Sequence, residues 1–140
     1  SAGGYLTSMI GLDKRWLEPY GIDPDTAFVA LIPYSGQVVT HFERRRELGL
    51  PDTQPLVDDM APLSYVRPDC RPMLILSGDR EREMLGRYEE NAYFWRMMRV
   101  AGHPDVRICE FDGFDHGNMP QAGHFVAVRY IREMERRMDR

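Results

Sequence analysis

The stretch Leu74-Ile75-Leu76-Ser77-Gly78-Asp79-Arg80-Glu81 decides how the chain is read. Together with Met73 it makes a short apolar run that stops at Ser77-Gly78-Asp79, the pattern of a strand buried on both faces and ended by a turn. Two other runs have a similar length. Ala27-Phe28-Val29-Ala30-Leu31-Ile32 is continuous and bounded by Pro33 and by Ser35-Gly36, which predicts a second buried strand. Val106-Arg107-Ile108-Cys109-Glu110-Phe111 alternates apolar and polar, which predicts a half-exposed strand near a sheet edge.

Helical patterns lie between and around these runs. Tyr5 to Leu12 places Leu6, Met9 and Ile10 on one face, and Val38 to Leu48 reads as a helix with Gly49 as its C-cap. Arg87 to Val100 carries a stripe through Tyr88, Asn91, Ala92, Trp95, Met98 and Arg99 and stops at Gly102. A helix from about Ala122 to Arg137 sets Ala127, Tyr130, Ile131, Met134 and Met138 against a charged face. Pro51 to Pro62, rich in Pro and Asp, reads as a surface loop. Strands that alternate with helices imply parallel pairing and right-handed crossovers, hence an α/β layered fold in one domain.

Composition narrows the function classes. The 140 residues, 43% hydrophobic, can bury a core. A net charge of −4, with basic residues interspersed among acids, gives no footprint for nucleic acid. The Arg44-Arg45-Arg46 run is expected to be a solvated helix face. No stretch approaches the roughly 18 to 20 apolar residues of a membrane span. Cys70 and Cys109 stand apart, in neither metal-ligand nor disulfide-framework spacing, so no metal is expected.

Chemistry is suggested at three places. Ser1-Ala2-Gly3-Gly4 running into a helix matches the second half of a G-x-S-x-G nucleophile elbow, in which small residues let a tight turn pass close to its neighbours. Acids follow the central strand at Asp79, Glu81 and Glu83, and His116 lies in the Gly-flanked loop Phe111-Asp112-Gly113-Phe114-Asp115-His116-Gly117. An alcohol becomes a nucleophile when a base within hydrogen-bond reach takes its proton; imidazole does this near neutral pH, and a carboxylate orients it. His41, His103 and His124 are expected to be surface or capping residues.

Ser, acid and His in that chain order resemble the esterase and lipase branch of the α/β-hydrolases. Met60-Ala61-Pro62-Leu63-Ser64, with Pro72 ahead of the strand, is similar to the passage before that family's acid strand; Gly86 to Ala92, followed by Ala101-Gly102-His103, is similar to the helix after it. The resemblance implies the C-terminal half of an α/β-hydrolase three-layer sandwich with a mostly parallel sheet, and a lid-like segment at about 35–65. It implies Ser1 as nucleophile, His116 as base and the Ala2 N–H as one oxyanion donor. The family's usual offset from the strand-ending Gly78 points to Glu81 as the acid, with Asp79 and Glu83 as alternatives. The substrate implied is a small-molecule carboxylic ester, and no cofactor is expected. An N-terminal half carrying further strands and a second oxyanion donor is the expected partner. An amidase or formamidase of the same fold, or a non-catalytic module acting in assembly or binding, are the competing readings.

Overall fold

A computed structural model describes residues 1–139. Helix α1 (Ala2–Leu12) is followed by two short 3-10 turns and by the four-residue helix α2 (Pro24–Ala27). Helix α3 (Phe42–Glu47) and a 3-10 turn at Pro62–Tyr65 precede strand β1 (Met73–Gly78). Helix α4 (Arg87–Val100), strand β2 (Val106–Phe111) and helix α5 (Met119–Met138) complete the order.

Strands β1 and β2 pair in parallel, Met73 opposite Val106 and Gly78 opposite Phe111. On the other side of β1, Leu31 and Tyr34 make isolated parallel bridges to Met73 and Leu76. β1 is therefore flanked on both sides and all six of its residues are buried, whereas β2 is buried only at Val106 and half-buried beyond it. The edge position agrees with the half-exposed strand expected here, but the burial does not alternate: Val106 and Ile108 pack in one layer, Cys109 and Phe111 in the other.

The segment expected to be a strand over Ala27 to Ile32 is different. Asp23 caps a short helix through the Asp25 N–H, with Pro24 at its first position, and the helix consumes Ala27. Val29 is exposed and only Leu31 is buried in the core. The pairing shifts toward Tyr34: Leu31 N–H donates to Pro72 O, Leu74 N–H to Leu31 O, Leu76 N–H to Pro33 O and Ser35 N–H to Leu76 O. Pro33 has no N–H to give, so the ladder lacks a rung in its middle and the segment bridges rather than forming a regular strand.

The alternation of β1 sorts the core into two layers. Met73 and Ile75 pack with Leu12 of α1 and with Phe94 and Met98 of α4 on one face. Leu74 and Leu76 pack with Met119, Ala127, Tyr130 and Met134 of α5 on the other. Helices on both faces of a parallel sheet make a three-layer α/β sandwich.

Two other expectations change. The helix read at Val38 to Leu48 is confined to α3, because the His41 side chain accepts the Glu43 N–H and starts the helix only there. Within it Arg45 is buried, not solvated: it donates to the carbonyls of Thr40, Asp52 and Gln54 and ties the following loop down, while Arg44 and Arg46 pair with acids on the surface. Arg45 stabilises a loop through backbone acceptors that no periodicity in the sequence signals.

The start of α1 lies against the Tyr34-Ser35-Gly36 turn at backbone contact. A Cβ on Gly36 would sit 2.5 Å from the Gly4 carbonyl carbon and 2.6 Å from the Tyr5 nitrogen; one on Gly4 would sit 2.8 Å from Tyr34 O. A Cβ on Gly3 would meet nothing within 4 Å, so among the described residues Gly4 and Gly36, rather than Gly3, make the close passage. Gly36→Ala is expected to lower the unfolding free energy by about 2 to 3 kcal/mol in urea melts, because only backbone could yield. Gly3→Ala, in open space on a helix, is expected to change it by less than about 1 kcal/mol.

Candidate functional site

The C-terminal ends of the bridging segment, β1 and β2 bring their loops together at one edge of the sheet. The loop after β1 folds back as a single turn, with Arg82 N–H and Glu83 N–H both donating to Asp79 O. That turn carries Glu83 back under the strand end. Its carboxylate has no exposed surface. Oε2 accepts the Ser35 hydroxyl at 2.7 Å and the Gly78 N–H at 3.2 Å, and Oε1 accepts the Met84 N–H at 2.9 Å.

Oε1 also meets His116 Nδ1 at 2.5 Å. The His116 loop reaches it because Phe111 is followed by a tight turn, Phe114 N–H donating to Phe111 O, and because Asp79 N–H donates to Phe114 O. Gly78 permits the approach: a Cβ there would lie 2.8 Å from Phe114 O, 3.0 Å from Glu83 Oε2 and 3.1 Å from Asp115 O. His116 Nε2 has no hydrogen-bond partner among the described residues. An imidazole held by a carboxylate at Nδ1 and open at Nε2 is arranged to take a proton at Nε2.

The acid on the histidine is Glu83, which corrects the expectation of Glu81. Glu81 is exposed, and its N–H donates to Asp79 Oδ1. Asp79, the other acid weighed, spends Oδ2 on the Gly113 N–H and so braces the two loops against each other. Its carboxyl lies below the usual range because of the Gly113 and Glu81 N–H donors. The one-turn fold-back places position 83, not 81, beneath the strand end. A signal was present in the sequence, since Glu83 is separated from Asp79 by one helical turn, but the offset from Gly78 that the family resemblance implies favoured Glu81.

Ser1 is exposed at the start of α1, and no hydrogen bond joins its hydroxyl to the His116 ring. Its nitrogen donates to Tyr34 O at 2.7 Å. The Ala2 N–H, in the first turn of α1, has no acceptor among the described residues, as first-turn donors require an outside partner. The remaining histidines are structural. His41 caps α3, His103 Nε2 bonds Cys70 O, and His124 Nδ1 meets the Tyr34 hydroxyl. Burial pushes the Cys70 thiol up to about 11. Beside the site a cleft of about 580 Å³ opens between the 35–65 segment and the loop after β1, lined in part by Gln37, Phe42, Met84, Leu85, Arg87 and Glu90.

Solved structures of one esterase share this arrangement of helices and strands. The propionate-bound esterase 2 of Thermogutta terrifontis superposes with a TM-score of 0.69 at 21% identity, covering 96% of this chain and 53% of that one. The forms phosphonylated by sarin and phosphorylated by paraoxon give 0.64 and 0.63, at 18% and 19% identity. They cover 94% of this chain and 54% and 50% of theirs. The fold is a partial α/β-hydrolase. The chain spans about half the length of the esterase it matches. A comparison with protein-family models gives no match, and neither does a comparison with curated proteins. Among the described residues no helix is long and apolar enough to cross a membrane, and no cluster of three metal-binding side chains occurs.

Within this hydrolase fold Glu83 is kept ionised against its burial. Burial pulls the carboxyl up, and the Ser35 hydroxyl, the Met84 N–H, His116 and the Gly78 N–H outweigh it, leaving the group below its usual 4.5. A folded-state value below the unfolded one stabilises the fold in full above pH 4.5, and that contribution is lost as pH falls through the lower folded value. Urea melts at stepped acidic pH are expected to show the native chain losing stability more steeply below pH 4.5 than Glu83→Gln.

Proposed function

We propose that the chain carries the catalytic machinery of a serine-dependent carboxylic ester hydrolase, with Ser1 as nucleophile, His116 as general base and Glu83 as the acid that orients it. The observation that carries this reading is the buried Glu83 carboxylate on His116 Nδ1, beside a helix that starts at Ser1. The esterase name of the structural neighbour, and its forms modified by organophosphorus compounds, support the same chemistry.

In this mechanism His116 Nε2 takes the Ser1 hydroxyl proton as Oγ attacks the ester carbonyl carbon. The carbonyl oxygen becomes an oxyanion, which the Ala2 N–H stabilises by donating to it. Collapse breaks the bond to the alkoxy oxygen, His116 passes the proton to it, and the alcohol leaves acyl-Ser1 behind. Water attacks the acyl carbon by the same steps in reverse and frees the acid. Glu83 holds the proton-bearing Nδ1 throughout and offsets the imidazolium charge. The 35–65 segment forms a lid-like wall over the cleft beside the site, where part of a small ester is held. The remaining oxyanion donor and strands come from an N-terminal half of the same enzyme.

A fluorophosphonate probe with peptide mapping tests the assignment in the protein expressed from its full reading frame. The adduct is expected on Ser1. Labelling should fall by at least about a hundredfold in His116→Ala and by about tenfold or more in Glu83→Gln, and stay near the native rate in Glu81→Gln. An unlabelled Ser1 in active protein, or equal losses in the two glutamate variants, contradicts it.

A further inference from the structure

Among the described residues Ser35 is the one non-glycine residue with a positive φ, 46°, a region where a side chain strains the backbone. The turn is held there from several directions. Ser35 N–H donates to Leu76 O at 2.7 Å, and Tyr34 O accepts from Ser1. Arg87 Nη1 donates to Ser35 O at 2.6 Å, and Asn91 Nδ2 donates to Gly36 O at 2.9 Å. Arg87 and Asn91 stand one turn apart on α4, both buried. Arg87 forms no ion pair among the described residues; burial lowers its basicity, and its strong donor is spent on a turn carbonyl.

The strained geometry aims one group. Ser35 Oγ donates to Glu83 Oε2 at 2.7 Å and lies 3.2 Å from His116 Nδ1. A hydroxyl has one proton to donate, and Nδ1 must carry its own proton to bond Glu83 Oε1. The Ser35 and Gly78 donors therefore occupy Oε2 and leave Oε1 to face the imidazole.

We propose that Ser35 is a positioning residue for the Glu83–His116 pair, locked by Arg87 and Asn91 in a left-handed turn from which its hydroxyl fixes the carboxylate. Its consequence for rate rests on the proposed function; its effect on the carboxylate does not. The turn has a second duty, since its Tyr34 carbonyl takes the Ser1 nitrogen, so one backbone feature sets the register of both acid and nucleophile.

Ser35→Gly tests this, because glycine adopts a φ of 46° without strain and the change removes only the hydroxyl. Glu83 is followed by carbon NMR titration of its side-chain carboxyl in the full-length protein, alongside fluorophosphonate labelling across pH. The carboxyl is expected to protonate at higher pH in Ser35→Gly than in the native protein. Labelling of Ser1 is expected to slow about tenfold, with its acid limb displaced upward. Ser35→Asn, which tolerates the left-handed region and keeps a donor, is expected to recover part of both. An unchanged Glu83 titration in Ser35→Gly overturns the proposal, as does a uniform loss of labelling with the acid limb unmoved. A displaced titration in a protein whose Ser1 never takes the probe upholds the positioning and refutes the hydrolase reading instead.

Discussion

A carboxylate with no exposed surface has to be paid for in hydrogen bonds, and Glu83 collects four of them. Without the Ser35 hydroxyl, the Gly78 and Met84 N–H groups and the His116 ring, burial would drive the group neutral and the imidazole would lose its anchor. Each of those donors comes from a different place in the chain: the turn after the bridging segment, the last residue of β1, the loop that follows, and the loop after β2. Satisfying one charge thus fixes the relative positions of three loops at the end of the sheet.

The same requirement explains where glycine is indispensable. Gly78 lets Phe114 O, Asp115 O and the Glu83 carboxylate converge on the end of β1, and the Gly4–Gly36 contact lets the first turn of α1 rest on the turn that supplies Ser35. In both places the nearest group is backbone, so a methyl group is not accommodated by the shift of a side chain alone. Burial of Met73 and Ile75 on one face of β1 and of Leu74 and Leu76 on the other keeps the platform rigid beneath these contacts.

Much of the fold was legible because its signals are local. The run at Met73 to Leu76 reports burial directly, and the elements at Val106 to Phe111 and Arg87 to Val100 formed where expected, but their faces were read less well: Cys109 and Phe111 pack in the layer opposite Val106 and Ile108, and on α4 Phe94 is buried where Arg99 is exposed. The failures have one physical cause in common: they depend on partners distant in sequence or on backbone donors. Pro33 interrupts a ladder only because its neighbour is β1, and Arg45 is buried only because three carbonyls converge on it. The acid was misread for the same reason. The Asp79–Glu83 turn exchanges position 81 for position 83, and it is stabilised by Asp79 bonding Gly113, 34 residues away. His116 was legible as a histidine in a Gly-flanked loop after a strand, while the contact of Ser35 with Glu83 has no local signature, since Ser-Gly after a strand reads only as a turn.

The central claim is that Glu83, rather than Glu81, holds His116. Proton NMR of the ring Nδ1–H tests it most directly, because a short hydrogen bond to a carboxylate moves that proton far downfield. A downfield resonance assigned to His116 that persists in Glu81→Gln and disappears or moves upfield in Glu83→Gln is the predicted result. A resonance indifferent to Glu83 and lost with Glu81 would contradict the account.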